Sequence, residues 1–354
     1  MHYVDICNYW TIQVIILNLF SIFFSFIFMH WCNISSHWYL RLNVRVLALN
    51  TTTMIKTIVT GASGLLGRAI ISDLSNDKQI EEIGLCYSRQ GQNLKKCDLK
   101  DESSIKSIIE SEKPQVVIHC AAERRPDVAE KDEKGAEQLN IGVPATLGRL
   151  TKNANASLIY ISTDYVFDGR NPPYETNDSP NPLNFYGKTK LAGEKAALDN
   201  NDKTIVVRVP VLYGKVEEDK ESAVNVLVKA VKDSQCGKPT KMEHYAKRYP
   251  TCVESVASAL KGIIKKLYIQ GSQVPNVIHF TAKEAYSKYE MSCIFADLLA
   301  LSKDNLIADT EEPKGESAVS RPKDCHLSRK VFDGLDVEFN EVKFVDWFRD
   351  YFNN

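Results

Sequence analysis

Short apolar runs alternate with amphipathic segments along the chain from Met54 onward. The runs have the length and the β-branched content of buried strands, and segments with apolar residues at helical spacing separate them. The predicted strands lie at 55–60, 82–88, 97–99, 115–122, 157–162 and 204–209. Strands that alternate with helices in this way form parallel sheets with right-handed crossovers. The pattern therefore predicts an α/β fold with a doubly wound parallel sheet.

The first strand runs into a turn that contains three glycines. Residues 60–67 read Thr-Gly-Ala-Ser-Gly-Leu-Leu-Gly, and a helical pattern follows. Such a turn brings the backbone and the free N–H groups of a helix N-terminus close to a pyrophosphate, as in the Rossmann fold. Glycine turns after strands are also common in proteins without a ligand there, so this motif alone does not establish a dinucleotide site. The candidate cofactor contacts here are Gly61, Ser63, Gly64, Leu65, Leu66 and Gly67.

The alternation becomes looser after the sixth strand, where we expect a strand at 276–281 and a helix at 288–299. This change predicts a dinucleotide-binding Rossmann domain at 54–214. A smaller C-terminal α/β domain of the substrate-binding type would follow at 215–354, with returns of the chain to the first sheet. The aromatic residues of 347–354 are expected to pack back on the body, and a tail that docks into a partner is the alternative.

A hydrophobic leader occupies residues 1–53. Its segment 10–29 is twenty residues without a charge, long enough to span a bilayer. Arg41 and Arg45 follow it, so an anchor of this kind would leave the body in the cytosol. Met54 precedes the first strand directly, which makes a mis-assigned upstream start the other explanation. Both explanations stay open, and the leader is excluded from the fold in either case.

The composition narrows the classes of function. The chain has 354 residues, 44% of them hydrophobic and 25% charged, with a net charge of −1. This is an ordinary globular composition, and it gives no electrostatic reason to expect a nucleic-acid partner. The nine cysteines fall singly, without a C-x-x-C pair or a zinc-like spacing. We therefore expect no metal site and a reducing compartment, the cytoplasm.

The end of the second strand bears on the choice between NAD and NADP. Sites for NAD usually carry Asp or Glu there to bind the ribose 2′-hydroxyl, but this chain has Tyr87, Ser88 and Arg89. A guanidinium suits a 2′-phosphate, so the sequence favours NADP. An ordinary surface arginine is the alternative. Asp98 is a further candidate, because its carboxylate is suited to accept a hydrogen bond from the adenine amino group.

Residues after the fourth strand also lie on the expected ligand side. Cys120 begins a group of small residues that would let a dinucleotide lie close to the backbone. The charged loop 123–127 follows and raises Arg124 as a cofactor contact, with a solvated turn as the alternative.

Tyr186 and Lys190 stand four residues apart at the start of a helix after the fifth strand. They would share one helical face, and the ammonium would lower the pKa of the phenol from about 10. Tyr186 would then donate a proton to a carbonyl oxygen as hydride arrives, and Ser162 or Thr163 would hold that oxygen. Of the fifteen tyrosines only Tyr186 has lysine at this spacing.

Five stretches together resemble the extended short-chain dehydrogenases, and within them the dTDP-4-dehydrorhamnose reductase family. They are residues 60–67, 120–122, 162–169, 186–190 and 208–214. The resemblance runs from Met54 to about Leu335. It implies an NADPH-dependent reductase that acts on a 4-keto-6-deoxy nucleotide sugar, with Thr163, Tyr186 and Lys190 as catalytic residues.

Other stretches look like the regulatory members of that family, the beta subunits of methionine adenosyltransferase. They are residues 122–128, 164–169, 171–174 and 221–224. This resemblance implies an NADP-binding protein that associates with the catalytic subunit in a hetero-oligomer and supports the synthesis of S-adenosylmethionine.

The likeness also assigns cofactor contacts. They are residues 63–66, Tyr87, Ser88, Arg89, Asp98, Leu99, Cys120, Arg124, Tyr186 and Leu212, and Lys190 joins Tyr186 at the nicotinamide ribose. This chain has Ser88 where the regulatory members carry a second arginine, and its C-terminus matches poorly. The catalytic residues are therefore either active or vestigial, and a regulator and a reductase both remain open.

Overall fold

The computed structural model describes residues 54–88, 94–312 and 320–353. Seven strands of this part form one parallel sheet in the order β10-β6-β5-β4-β1-β2-β3. Their bounds are β1 Ile55–Thr60, β2 Ile80–Cys86, β3 Leu94–Lys96, β4 Val116–His119, β5 Ser157–Thr163, β6 Thr204–Val209 and β10 Val277–His279. The strand order reverses between β1 and β4, which is where doubly wound sheets bind ligands. The predicted fold class is confirmed.

Helices cover both faces of this sheet. The α-helices of the described residues are α1 Leu65–Leu74, α2 Glu102–Glu112, α3 Pro126–Ala129, α4 Glu133–Glu137, α5 Val143–Asn153, α6 Phe185–Asn200, α7 Val226–Ser234, α8 Val253–Tyr268, α9 Lys288–Leu298, α10 Lys330–Asp333 and α11 Phe344–Asn353, and only some of them pack on the main sheet. Apolar side chains of α1 and α8 form the core on one face, and those of α2 and α5 form the core on the other. Burial on both faces explains why the strands are apolar runs rather than alternating ones.

The remaining strands pair outside the main sheet. They are β7 Leu212–Tyr213, β8 Thr240–Glu243, β9 Thr251–Cys252 and β11 Leu306–Asp309, paired as β7 with β9 and β8 with β11. A third core lies here, and the aromatic helix α11 packs into it with Phe344 and Phe348 fully buried. The C-terminal helix thus packs back on the body. β10 joins β6 in the main sheet, and a domain boundary at 214 stays a prediction.

Several elements have other bounds than the sequence predicts: β2 spans Ile80–Cys86 rather than 82–88, and β4 ends at His119 rather than at 122. The third strand ends at Lys96, before the predicted 97–99, because its pairing with β2 ends where the Cys97 N–H donates to the Cys86 carbonyl at 2.8 Å. A π-helical turn at Gln138–Gly142 joins α4 to α5, and no pattern in the sequence predicts it.

Some expectations fall on residues that are not described. The apolar segment 10–29 lies outside the described residues, and so does Arg89. No helix among residues 54–88, 94–312 and 320–353 is long and apolar enough to cross a membrane.

The three glycines of the first turn allow its close packing. Gly61 has a φ of +66°, which favours glycine. A Cβ at Gly67 would lie 2.7 Å from the Cα of Ala62, and closer still to the Gly61 carbonyl oxygen. Only a residue without a side chain lets α1 start this near to β1.

We expect Gly67→Ala to lower the free energy of unfolding by about 3 kcal/mol, at the upper end of the usual cost of overpacking. Gly142→Ala is the matched control. A Cβ at Gly142 meets nothing within 4 Å, so this variant should be neutral or more stable by up to about 1 kcal/mol. Urea unfolding of both variants measures the difference, and equal stabilities would contradict the role given to Gly67.

Candidate functional site

A cleft of about 860 Å³ lies at the carboxyl ends of the central strands. Its volume is in the range of small-molecule and cofactor sites. The described candidate residues from the sequence all line this cleft. They are Gly61, Ser63, Gly64, Leu65, Leu66, Gly67, Tyr87, Ser88, Asp98, Leu99, Cys120, Arg124, Thr163, Tyr186, Lys190 and Leu212. The topology thus brings together residues spread over some 150 positions of the chain, and their roles in binding stay predictions.

The glycine turn offers a cradle for an anion. Gly64 is the N-cap of α1, and within the described chain no side chain caps this end. The first-turn N–H groups and the helix dipole are therefore directed at the cleft. A Cβ at Gly61 would lie 2.9 Å from the Ala121 backbone nitrogen, so the turn also packs tightly against the end of β4. These features fit the pyrophosphate of a dinucleotide.

The far end of the cleft lies beside β2 and β3. Tyr87 is 64% exposed there and offers an open aromatic face. Asp98 uses one carboxylate oxygen to accept the Lys100 N–H at 2.9 Å, which leaves the other oxygen for a ligand amino group. This end has the chemistry that an adenine ring needs.

Thr163, Tyr186 and Lys190 meet near the end of β5. Thr163 Oγ1 donates to Asp164 Oδ1 at 3.1 Å and accepts the Tyr165 N–H at 3.2 Å. Lys190 is buried, and its Nζ donates to the Ile161 carbonyl at 2.8 Å. The same Nζ lies 4.0 Å from the centre of the Tyr160 ring. Both contacts hold the Lys190 ammonium against strand β5, which carries Ile161 and Tyr160.

The expected effect of Lys190 on Tyr186 was wrong. Burial raises the pKa of Tyr186 well above its usual value, and hydrogen bonding with Thr163 only partly opposes this shift. Desolvation also lowers the pKa of Lys190 to about 7. The reason is that the ammonium lies against the Ile161 carbonyl and the Tyr160 ring, while the phenol loses its hydration.

A buried ion pair lies next to the cleft residue Ser162, and it was not predicted from the sequence. Glu194 accepts two hydrogen bonds from Arg208, at 2.9 Å and 2.8 Å, and one from the Ser162 hydroxyl at 2.5 Å. Arg208 also lies 3.2 Å from His279 Nε2 on the neighbouring strand. Because Ser162 is engaged by Glu194, Thr163 is the better placed of the two residues considered for holding a carbonyl oxygen. Glu194 lies one helical turn after Lys190, and this spacing was the only local feature that could have pointed to it.

Asp164 belongs to the stretch 162–169, and the sequence alone predicts no role for it. Its side chain is buried beside Thr163, and desolvation raises its pKa to about 7. A carboxyl group that is partly protonated near neutral pH both donates and accepts hydrogen bonds at the cleft.

Residues from beyond position 214 complete the wall of the cleft. Lys220, Glu221 and Ser222 line it after β7, and Arg248, Lys288 and Arg321 line it from later segments. Arg321 pairs with Asp127 at 2.9 Å, and Arg248 pairs with Glu243. Burial and the nearby charges of Arg248 and Arg321 lower the pKa of Lys288. The sequence singled out 221–224 only as a stretch of family resemblance, and no local pattern predicts that any of these residues lies at the cleft.

Comparison with known proteins identifies the family. The family described as RmlD substrate binding domain matches residues 55–340. A methionine adenosyltransferase 2 subunit beta from Danio rerio is 43% identical over 291 residues, which cover 81% of this chain and 88% of that protein. The chain belongs to the RmlD family and to its beta-subunit branch. The resemblance inferred from the motifs is thereby confirmed.

Solved structures of RmlD-family reductases share the fold. A dTDP-4-dehydrorhamnose reductase from Clostridium acetobutylicum ATCC 824 superposes with a TM-score of 0.70 and 27% identity, over 84% of this chain and 98% of that one. Another from Bacillus anthracis str. Ames, solved in complex with NADP, has a TM-score of 0.71 and 22% identity, over 85% and 98%. The doubly wound sheet of this beta-subunit relative is therefore that of the reductases.

Lys190 should leave a signature in the pH dependence of stability. Its pKa is lowered from 10.5 to about 7, so between these values the unfolded chain binds more protons than the folded one. Stability from this group then rises as pH rises through that window. We expect the unfolding free energy of the wild type, relative to Lys190→Met, to increase by several kcal/mol from about pH 7 to about pH 10.

Lys195→Met on the exposed face of α6 is the control for this measurement. It adds the same side chain without removing a buried charge, so its difference from the wild type should be nearly flat over the same pH range. Urea titrations at several pH values give both differences. A flat difference for Lys190→Met would contradict the lowered pKa.

Proposed function

We propose that this protein is a cytoplasmic, NADP-binding regulatory subunit that associates with the catalytic subunit of methionine adenosyltransferase and supports S-adenosylmethionine synthesis. The observation that carries the proposal is the 43% identity to a beta subunit over 88% of that protein's length. The charged loop 123–127 belongs to one of the stretches whose sequence resembles the beta subunits rather than the sugar reductases. In the described chain that loop is ordered by Glu123, which accepts two side-chain hydrogen bonds from Arg125 at 2.9 Å and 2.7 Å.

The cleft supports a dinucleotide as the ligand. The glycine cradle and the uncapped N-terminus of α1 suit a pyrophosphate, and Tyr87 and Asp98 suit an adenosine. Tyr186 and Lys190 line the same cleft, and in this proposal they bind the nicotinamide ribose. When bound, NADPH supplies a hydride donor, but the residues of this chain can also serve binding alone. The preference for NADP rests on Arg89.

The electrostatics of Tyr186 favour the regulator. Burial raises the pKa of the Tyr186 phenol and makes it a weaker acid, which disfavours proton transfer from it to a carbonyl substrate. Lys190 instead donates to the Ile161 carbonyl. Both side chains keep the hydrogen-bonding capacity that a ribose needs.

A reductase of 4-keto-6-deoxy nucleotide sugars is the second candidate. The observation that favours it is the meeting of Thr163, Tyr186 and Lys190 in one cleft. Reduction would require that substrate binding restore the acidity of Tyr186.

Affinity capture from the native cell tests the choice. We expect the tagged protein to recover the methionine adenosyltransferase catalytic subunit in a fixed ratio, and the purified protein to consume no NADPH with a 4-keto-6-deoxy nucleotide sugar. Cells that express the tag alone are the control. Isolation of the protein without that subunit, together with NADPH consumption, would replace the regulator by the reductase.

The cofactor preference has its own test. We expect Arg89→Ala to weaken NADPH binding about tenfold or more, because a hydrogen bond to a charged group contributes about 1.5–3 kcal/mol. NADH affinity should stay nearly unchanged, since NADH lacks the 2′-phosphate. Isothermal titration calorimetry measures both.

Arg349→Ala removes an exposed arginine of α11 that pairs with Asp346 at 2.7 Å, and it serves as the control. If Arg89→Ala lost the same affinity for NADPH and for NADH, Arg89 would attract anions in general and would not recognise the 2′-phosphate.

A further inference from the structure

The segment that follows β7 forms part of the wall of the cleft. This segment, residues 215–223 and here named the strap, includes a short 3-10 turn at Asp219–Glu221. Lys220, Glu221, Ser222 and Ala223 line the cleft. Ser222 Oγ also donates to the Leu212 carbonyl at 2.8 Å, which anchors the end of the strap to β7.

Arg68 ties the strap to the glycine turn. It follows the third glycine directly, and its guanidinium donates to the Ser63 carbonyl at 2.8 Å. It also donates to both carboxylate oxygens of Glu221, at 3.2 Å and 2.7 Å, and to the Lys215 carbonyl at 3.3 Å. The Glu221 side chain is only 5% exposed. A bidentate, largely desolvated pair of this kind is geometrically specific.

A second tie comes from the end of β4. Arg124 Nη2 donates to the Lys220 carbonyl at 3.1 Å. Arg68 lies on the helix after β1, and Arg124 lies in the loop after β4. The two arginines therefore attach the strap to both elements that flank the point where the strand order reverses.

The negative charge of Glu221 in this cleft requires a physical explanation. A carboxylate that lines a cleft shaped for an anionic dinucleotide repels the ligand unless a cation neutralises it. Arg68 supplies that cation from behind the turn and is not itself among the described residues that line the cleft. The pair therefore costs little in ligand attraction while it fastens the strap.

We propose that Glu221 is a positioning residue for the dinucleotide: it holds Arg68, fastens the strap across the cleft, and thereby sets how fast the cofactor binds and leaves. This inference rests on the proposed NADP site. In this proposal a dinucleotide lies between the glycine turn and Tyr186, and the strap releases at least one tie as the ligand enters or leaves. Loops that close over ligands limit rates in this way.

The test is stopped-flow measurement of NADPH binding and release with the full chain and Glu221→Gln. The amide keeps the shape but loses the charge of the pair. We expect the association and dissociation rate constants both to rise about tenfold, while Kd changes less than about threefold. A loosened site would raise dissociation alone, and removal of a negative charge would speed association and slow dissociation. Either pattern, or unchanged rates, would overturn the inference.

Glu217→Gln is the matched control. Glu217 lies in the same strap and is 3.6 Å from Arg68, but its side chain is 60% exposed. Its rate constants should stay within about twofold of the wild type. If Glu221→Gln does not fold, Arg68→Lys replaces it in the test. This variant keeps the positive charge but cannot form the bidentate hydrogen bonds to Glu221. Unchanged rate constants for Arg68→Lys would also overturn the inference. A wild-type protein that binds no NADPH would overturn the proposed function itself, whereas binding with unchanged variant rates would overturn only the role of Glu221.

Discussion

The close approach of α1 to the end of β1 is the constraint on which the cleft depends. Gly67 lies against the Gly61 carbonyl and the Ala62 backbone, with no room for a side chain. This contact directs the first-turn N–H groups of α1 at the place where the strand order reverses. It also puts Arg68, the next residue, where its guanidinium reaches both Ser63 and Glu221. One backbone contact thus sets the anion cradle and the attachment of the strap.

The buried pair of Glu194 and Arg208 plays the corresponding part for the other half of the cleft. It joins α6, which carries Tyr186 and Lys190, to β6, while Ser162 joins it to β5. Loss of one partner from such a pair typically costs about 3–5 kcal/mol, because the other charge stays buried without compensation. The network therefore holds the helix in register with the strand that presents Thr163. A geometry held this firmly does not depend on whether the site still performs chemistry.

The sequence predicted the parts of the fold and site that are local. The glycine turn, the Tyr186 to Lys190 spacing and the strand runs are patterns within a few residues, and the structure has them nearly where expected. Contacts such as Arg68 with Glu221 join residues 153 positions apart, and no period or motif connects them. The pKa of Tyr186 was misjudged for a related reason: spacing gives the shared face of a helix, but the direction of the Lys190 ammonium depends on the distant Ile161 carbonyl. Burial, which decides both pKa shifts, is a property of the whole fold.

For the regulator proposed here, a cleft that still binds a ligand has a thermodynamic use even without catalysis. A ligand that binds only the folded state stabilises that state by an amount that grows with its concentration, about 2.7 kcal/mol at a hundred times Kd. The cleft gathers residues from the glycine turn, from α6 and from the strap, so a bound dinucleotide would hold three separate parts of the chain together. The loop 123–127 borders the same cleft through Arg124. A dinucleotide bound in this cleft would therefore lie beside that loop, whether or not a hydride ever leaves the cofactor.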